Sequence, residues 1–128
     1  MYKLIFYSRN NKPLLKDLLE QLRKQDKPLE VGKIYDFLDN LEKYGPKINS
    51  EFKPKATKAL GDGLFELRPL PNRIFFIFEK NDEIVVLHGF IKTTNKTPPQ
   101  EIEKAKKEKK EYERSKKWIK LWRIKRES

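Results

Sequence analysis

Apolar positions along the first half of the chain follow two periods. Residues 2–7 alternate weakly and are rich in aromatic and branched side chains, which predicts an edge strand. Pro13 opens a helix in which Leu14, Leu15, Leu18, Leu19 and Leu22 form one apolar stripe. The connection that follows ends at Pro28. A second helix over about residues 30–44 repeats the stripe with Val31, Ile34, Tyr35, Leu38 and Leu41, and Gly45 with Pro46 stops it. Both stripes need an apolar surface to cover them. Residues 47–61 are polar, carry Lys53, Pro54, Lys55 and Lys58, and predict a loop with some helical turns before the turn at Gly61, Asp62 and Gly63.

Beyond that turn the period changes to two. Residues 64–68 and 73–79 are apolar, β-prone runs separated by Pro69, Leu70, Pro71 and Asn72, which predicts a hairpin with a four-residue loop. Such a loop sets Arg68 opposite Arg73. A two-residue turn at Asn81 and Asp82 would return a third strand with His88 across from Phe75 and Phe90 across from Arg73. Alternation then gives one face to Glu66, Arg68, Arg73, Phe75, His88 and Phe90, with Lys92 at its edge. Phe65, Leu67, Ile74, Phe76, Phe78, Val85 and Leu87 fall on the other face, the expected core side. Opposed like charges destabilise a ladder by roughly 0.2 to 1 kcal/mol, so the Arg68 and Arg73 pair calls for a counter-charge. A bound phosphate would supply it. So would a structural ion-pair network in which Glu66 or a helix carboxylate satisfies both arginines.

After Pro98 and Pro99 the chain is rich in helix formers with Glu and Lys interleaved at helical spacing. Ile102, Ala105 and Tyr112 make only a thin apolar stripe, so this helix should project or lie along the surface. Trp118, Leu121 and Trp122 make a stronger stripe, suited to folding back onto the sheet or to docking a partner. No internal repeat or second boundary interrupts the chain, so residues 1–128 read as one α+β domain: an N-terminal strand, two packed helices, a three-stranded antiparallel meander, and a basic helical extension from about residue 99.

Charge narrows the choice of partner. Thirty Lys and Arg residues against 19 Asp and Glu give a formal net charge of +11 over 128 residues. Such a surplus favours polyanions. No apolar run approaches the roughly 18 residues that span a membrane, and the first ten residues are too short in apolar core for a secretory signal. With no cysteine, disulfides and cysteine-bound zinc are excluded. A cytoplasmic protein without membrane attachment is the expectation.

The residues also limit the chemistry. A single histidine makes no metal cluster, no serine or cysteine sits in a nucleophile motif, and no glycine-rich phosphate loop follows a strand. No metal site or cofactor is expected. What remains is a group of cations among aromatic side chains, able to bind a phosphodiester, stabilise charge on a pentacoordinate phosphorus and stack on unpaired bases. That set suits RNA, whose own 2′-hydroxyl attacks the adjacent phosphorus when held in line.

The run LFELRPL, then NRIFFIF, then IVVLHGFIKTTNKTPPQEIEKA closely resembles the toxins of the RelE superfamily of bacterial toxin–antitoxin systems, in their HigB-like, phage-derived branch. The match is clearest from residue 61 to about residue 112. The resemblance implies a small RelE-like fold, mRNA endonuclease activity in the ribosomal A site, and neutralisation by a cognate HigA-like antitoxin with a helix-turn-helix domain. It also implies that Arg68, Arg73 and Lys92 are the catalytic set, with Arg73 and Lys92 on the scissile phosphate and Arg68 in support. Some relatives carry a lysine where this chain has Glu66 and a basic residue where it has Thr93, which leaves the general base unassigned.

Phe90 is expected beside a base or ribose, and Lys53, Lys55 and Lys96 on the RNA backbone. His88 is either a proton shuttle in contact with RNA or a hydrogen-bonded strand residue. Trp118 and Trp122 suit core or antitoxin packing better than base stacking. Two other classes of function stay open on the residues alone: a non-catalytic inhibitor of a protein target such as gyrase, as in the ParE relatives of the superfamily, and a basic RNA-binding protein without catalysis.

Overall fold

A computed structural model describes the backbone of residues 1–127 and the side chains of residues 1–116. The chain begins with strand β1 (Lys3–Phe6) and a small ribbon of β2 (Ser8–Arg9) and β3 (Lys12–Pro13). Helices α1 (Lys16–Lys24), α2 (Pro28–Tyr44) and α3 (Ile48–Glu51) follow. Strands β4 (Thr57–Gly61), β5 (Leu64–Leu67), β6 (Asn72–Phe78) and β7 (Glu83–Ile91) come next, and α4 (Pro99–Glu127) closes the chain. The central sheet has the order β1-β7-β6-β5-β4, with β1 parallel to β7 and every other pair antiparallel. The architecture is α+β, as the pattern predicts.

The two leucine-rich helices form for the expected reason. α1 buries Leu18, Leu19 and Leu22, while α2 buries Val31, Ile34, Phe37, Leu38 and Leu41. Each such side chain contributes about 1.5 to 3 kcal/mol on burial. Pro28 occupies the first turn of α2, where its missing N–H costs nothing. α1 starts later than Pro13 because Lys12 and Pro13 belong to the ribbon, from which Lys12 Nζ reaches Asp17 Oδ1 at 3.1 Å and Glu20 Oε2 at 3.2 Å.

Three expectations need correction. First, residues 57–61 form β4, an edge strand of the sheet, where the polar pattern predicts loop. Its apolar content is low because it is an edge with Lys58 and Ala59 exposed. Asn49 fixes its start: Asn49 Oδ1 accepts from Thr57 N at 2.8 Å and Asn49 Nδ2 donates to Thr57 O at 3.2 Å.

Second, Val85 and Leu87 lie on the opposite face from the one expected. Glu79 N donates to Glu83 O at 2.8 Å and Phe78 pairs with Ile84, so the turn holds residues 80–82, three rather than two. That slip moves the first half of β7 by one position, and a one-residue slip exchanges faces. A bulge between Ile74 and Phe76 restores the register, so Arg73 does pair with Phe90. Leu87 and His88 consequently turn to the same side.

Third, the sheet is covered on both faces. Leu67, Ile74, Phe76, Ile84 and Val86 pack with α1, α2 and α3 in one core. Leu64, Phe75, Ile77, Val85 and Leu87 form a second core with Ala105, flanked by Ile102 and Tyr112 of α4. The thin stripe of α4 is therefore enough to dock its first half, because polar contacts supplement it. Tyr7 Oη donates to Glu111 Oε2 at 3.0 Å, Arg9 Nη2 donates to the same oxygen at 2.7 Å, and Lys116 pairs with Glu79.

Gly89 marks the close approach of β7 to α1. A Cβ there would lie 2.7 Å from Leu18 Cδ2, 2.9 Å from Arg73 O and 3.1 Å from Ile74 Cγ1. The carbonyl belongs to the sheet ladder and cannot withdraw. Gly89→Ala is expected to lower stability by about 1 to 3 kcal/mol, the usual cost of overpacking, as measured by urea denaturation. An unchanged midpoint would show that α1 is not seated on this strand.

Candidate functional site

The charged ends of three strands meet at one end of the sheet, where β5 finishes, β6 begins and β7 finishes. Leu67 pairs with Ile74, so Arg68 and Arg73 are the next residues in register. Glu66 lies between them. Its Oε1 is 2.7 Å from Arg73 Nε and 4.0 Å from Arg68 Nε. Glu66 is buried, and Thr97 Oγ1 in the loop after β7 donates to it at 2.9 and 3.1 Å. The counter-charge of the arginine pair is thus partly internal, as the ion-pair alternative predicts for Arg73.

Arg73 is held on three sides. Its Nη1 donates to Asn72 O at 3.1 Å and reaches Pro71 O at 3.4 Å, while Nε makes a close ion pair with Glu66 without hydrogen-bond alignment. Its Nη2 has no hydrogen bond among the described residues, and the Arg73 side chain as a whole is 5% exposed. Arg68 is half-buried, and its Nε is buried without a hydrogen bond among the described residues. Lys92 is half-buried beside them with Nζ donating to Asn95 O at 2.7 Å. Three cations therefore surround one carboxylate.

Electrostatics record the crowding. Burial pushes the Arg73 guanidinium below its ordinary value; Glu66 pulls it back up and Arg68 pushes it down further. Lys92 is also pushed down, first by desolvation and then by Arg73, with Arg68 and Lys58 adding to the effect and Glu66 opposing it. Three cations and one buried carboxylate thus share this end of the sheet, with a local surplus of positive charge.

His88 does not belong to this opening. It is 4% exposed, with Nδ1 2.7 Å from Glu108 Oε1 and Nε2 2.7 Å from Glu101 Oε2. Both ring nitrogens are engaged by α4, so the expected RNA contact gives way to the strand-residue alternative: His88 ties β7 to the helix. Among the described residues, no group of His, Cys, Asp or Glu is disposed to hold a metal ion, this one included. Phe90 is half-buried and stacks on Phe75 with ring centres 5.7 Å apart and planes at 20°. It stands across from Arg73, with part of its ring exposed.

The other expected contacts lie farther out. Lys96 is exposed in the loop after β7. Lys53 and Lys55 are exposed between α3 and β4, and Lys53 Nζ sits 5.6 Å above Phe37 and 5.7 Å above Phe52. The side chains of Trp118 and Trp122 lie outside the described residues. Sequence reasoning misses Thr97, which orients Glu66, and Lys58, which adds to the field at Lys92. Thr97 sits in a loop with no period to reveal it. Lys58 would have emerged had residues 57–61 been read as a strand beside β5, since Lys58 pairs with Glu66.

Residues 20–110 match the family described as "Phage derived protein Gp49-like (DUF891)". None of the curated proteins matches the chain. Among the described residues no helix is long and apolar enough to cross a membrane.

Proposed function

The chain belongs to the Gp49-like family of phage-derived proteins, a toxin family of RelE/HigB type, and from that premise we propose that it cleaves mRNA in the ribosomal A site as a HigB-like toxin. A toxin of this family has an antitoxin partner; in our reading that partner is HigA-like, with a helix-turn-helix domain, and the pair works in the cytoplasm. The observation that carries the reading is the unbalanced cluster at the strand ends. Arg73, fixed by Glu66, stands beside Lys92 and Arg68 at the edge of the surface.

In the proposed reaction these cations hold the scissile phosphate. The 2′-hydroxyl of the upstream ribose loses its proton and attacks phosphorus, and the bond to the 5′-oxygen of the downstream nucleotide breaks. That oxygen takes up a proton, leaving a 2′,3′-cyclic phosphate upstream and a 5′-hydroxyl downstream. Charge on the phosphoryl oxygens rises in the transition state, where fixed donors act most strongly. Arg73 is preorganised by its three protein contacts, and Lys92 supplies the more mobile charge. Phe90 offers an apolar edge for a ribose or base.

Lys92 gives the cleanest test, because it is half-buried and makes no ion pair among the described residues. Lys92→Ala is expected to fold normally and to cut about 100-fold to 1,000-fold less, the usual loss when one transition-state donor is removed. Mapping transcript 5′ ends after brief expression reads this directly: codon-phased ends with wild type, none with the variant. Intact transcripts with arrested replication would support the ParE-like inhibitor instead. Because the Lys92 charge is lost at lower pH than that of an ordinary lysine, cleavage should fall on the alkaline side below the usual lysine range near 10.4. Lys92→Arg should move that limb upward, since a guanidinium keeps its proton. An alkaline limb that stays in place would remove Lys92 from the reaction.

A further inference from the structure

A second cationic cleft adjoins the strand-end cluster. It has a volume of about 250 Å³ and is lined by Lys33 of α2, by Lys53 and Lys55 ahead of β4, and by Arg68, Phe37 and Leu70. No carboxylate lines it. Lys33, Lys53 and Lys55 make no ion pair among the described residues, although 11 such pairs connect other parts of the protein. Of the four cations only Arg68 has a carboxylate nearby, Glu66 at 4.0 Å, so the three lysines leave the cleft with a surplus of positive charge that favours an anion.

The cleft is held in shape by the fold. Lys33 Nζ donates to Leu70 O at 3.1 Å, which ties α2 to the loop between β5 and β6. Lys53 lies over the rings of Phe37 and Phe52, and Lys55 is kept at the rim in the left-handed conformation, φ 61°. Arg68 Nε is buried without a hydrogen bond among the described residues. The space is smaller than the roughly 300 to 1,000 Å³ of a small-molecule pocket, so it suits one charged group rather than a cofactor.

We propose that this cleft is a second phosphate subsite, which holds a neighbouring phosphodiester of the same single-stranded RNA whose scissile phosphate lies at Arg73 and Lys92. The proposal rests on the nuclease reading and deepens it. Arg68 is the link: it lines the cleft and also stands in register beside Arg73, so a polymer with regularly spaced charges meets both places along one path. Phe37 gives the same strand an aromatic wall. Lys33, on a helix remote from the strand ends in sequence, thereby becomes an RNA contact.

The test is equilibrium binding of a single-stranded oligoribonucleotide made uncleavable by 2′-O-methyl riboses, titrated against salt with the full chain. For single strands log K falls by about 0.7 per unit of log salt for each phosphate contacted. Lys33→Met with Lys53→Met, which keeps the apolar stems, is expected to flatten the slope by about 0.7 and to weaken binding about fivefold near 0.1 M salt. Lys55→Met with Lys53→Met, which spares the Lys33 tie to Leu70, should do the same.

An unchanged slope in variants that still cleave transcripts overturns the subsite and leaves the nuclease standing. A flattened slope in a protein whose wild type cleaves nothing keeps the subsite and overturns the nuclease. If the variants lose binding to a polyglutamate peptide while the RNA slope stays the same, the cleft belongs to an acidic protein and the proposal fails.

Discussion

Arg73→Met is expected to abolish cleavage and, separately, to lower stability by about 3 to 5 kcal/mol, the cost of leaving a buried charge without its partner. Glu66 is 2% exposed and relies on Arg73 Nε at 2.7 Å and on the Thr97 hydroxyl. Methionine fills much of the arginine volume but supplies neither charge nor donors. Arg68 cannot replace it, because its Nε is already 4.0 Å away. Loss of toxicity in the single variant alone would therefore confound chemistry with folding.

Adding Glu66→Gln separates the two effects. The double variant removes the stranded charge and keeps an acceptor for Thr97, so most of the stability should return while cleavage stays absent. Urea denaturation and transcript end mapping on the same preparations give both readings. A double variant that regains cleavage would take Arg73 out of the reaction and reduce the arginine to a counter-ion for Glu66.

How far the sequence discloses this arrangement depends on where the information lies. The stripes of α1 and α2 repeat within a turn or two, and each leucine reports its own burial. The Arg68 and Arg73 neighbourhood follows from one loop length, which fixes the register of a hairpin. The face of Val85 and Leu87 depends instead on a three-residue turn and a compensating bulge, two local choices that leave no mark on apolar alternation. β4 escapes notice because an Asn49 side chain, rather than an alternating pattern, secures its first residue.

The site itself is legible in its cations and illegible in their restraint. Charges of one sign stand out by count, whereas the pairing of Glu66 with Arg73 and Thr97 needs coordinates to appear. The same holds for α4. Its Ile102, Ala105 and Tyr112 are too few to predict docking, and the residues that complete the attachment are acids at positions 101, 108 and 111, seven and three apart on one helix face. In a helix where Glu and Lys alternate throughout, those three do not differ from their neighbours until His88 and Arg9 are seen opposite them.

That attachment is the basis of a second large effect: His88→Leu should destabilise the protein by about 3 to 5 kcal/mol. Glu108 is wholly buried, with Oε1 shared between the ring nitrogen and the backbone N–H of His88 and Oε2 without a hydrogen bond among the described residues. The imidazole is within hydrogen-bond distance of both carboxylates, Nδ1 with Glu108 and Nε2 with Glu101. Leucine removes both bonds and leaves one carboxylate in an apolar layer between Phe75, Leu87 and Ala105, where an unpaired charge is poorly tolerated. Replacing the pair together, His88→Leu with Glu108→Leu, removes that charge and should recover most of the loss, as apolar replacement of buried ion pairs commonly does. The coupling energy from this cycle, read by urea denaturation, isolates the contact from the burial of either side chain. Additive single effects would mean that α4 is held by its apolar residues and its other polar contacts, those of Glu111 and Lys116 among them. Strong coupling would identify the histidine as the fastener of the helix that covers this face of the sheet, and Glu101→Gln, on the more exposed side, should then cost far less than Glu108→Gln.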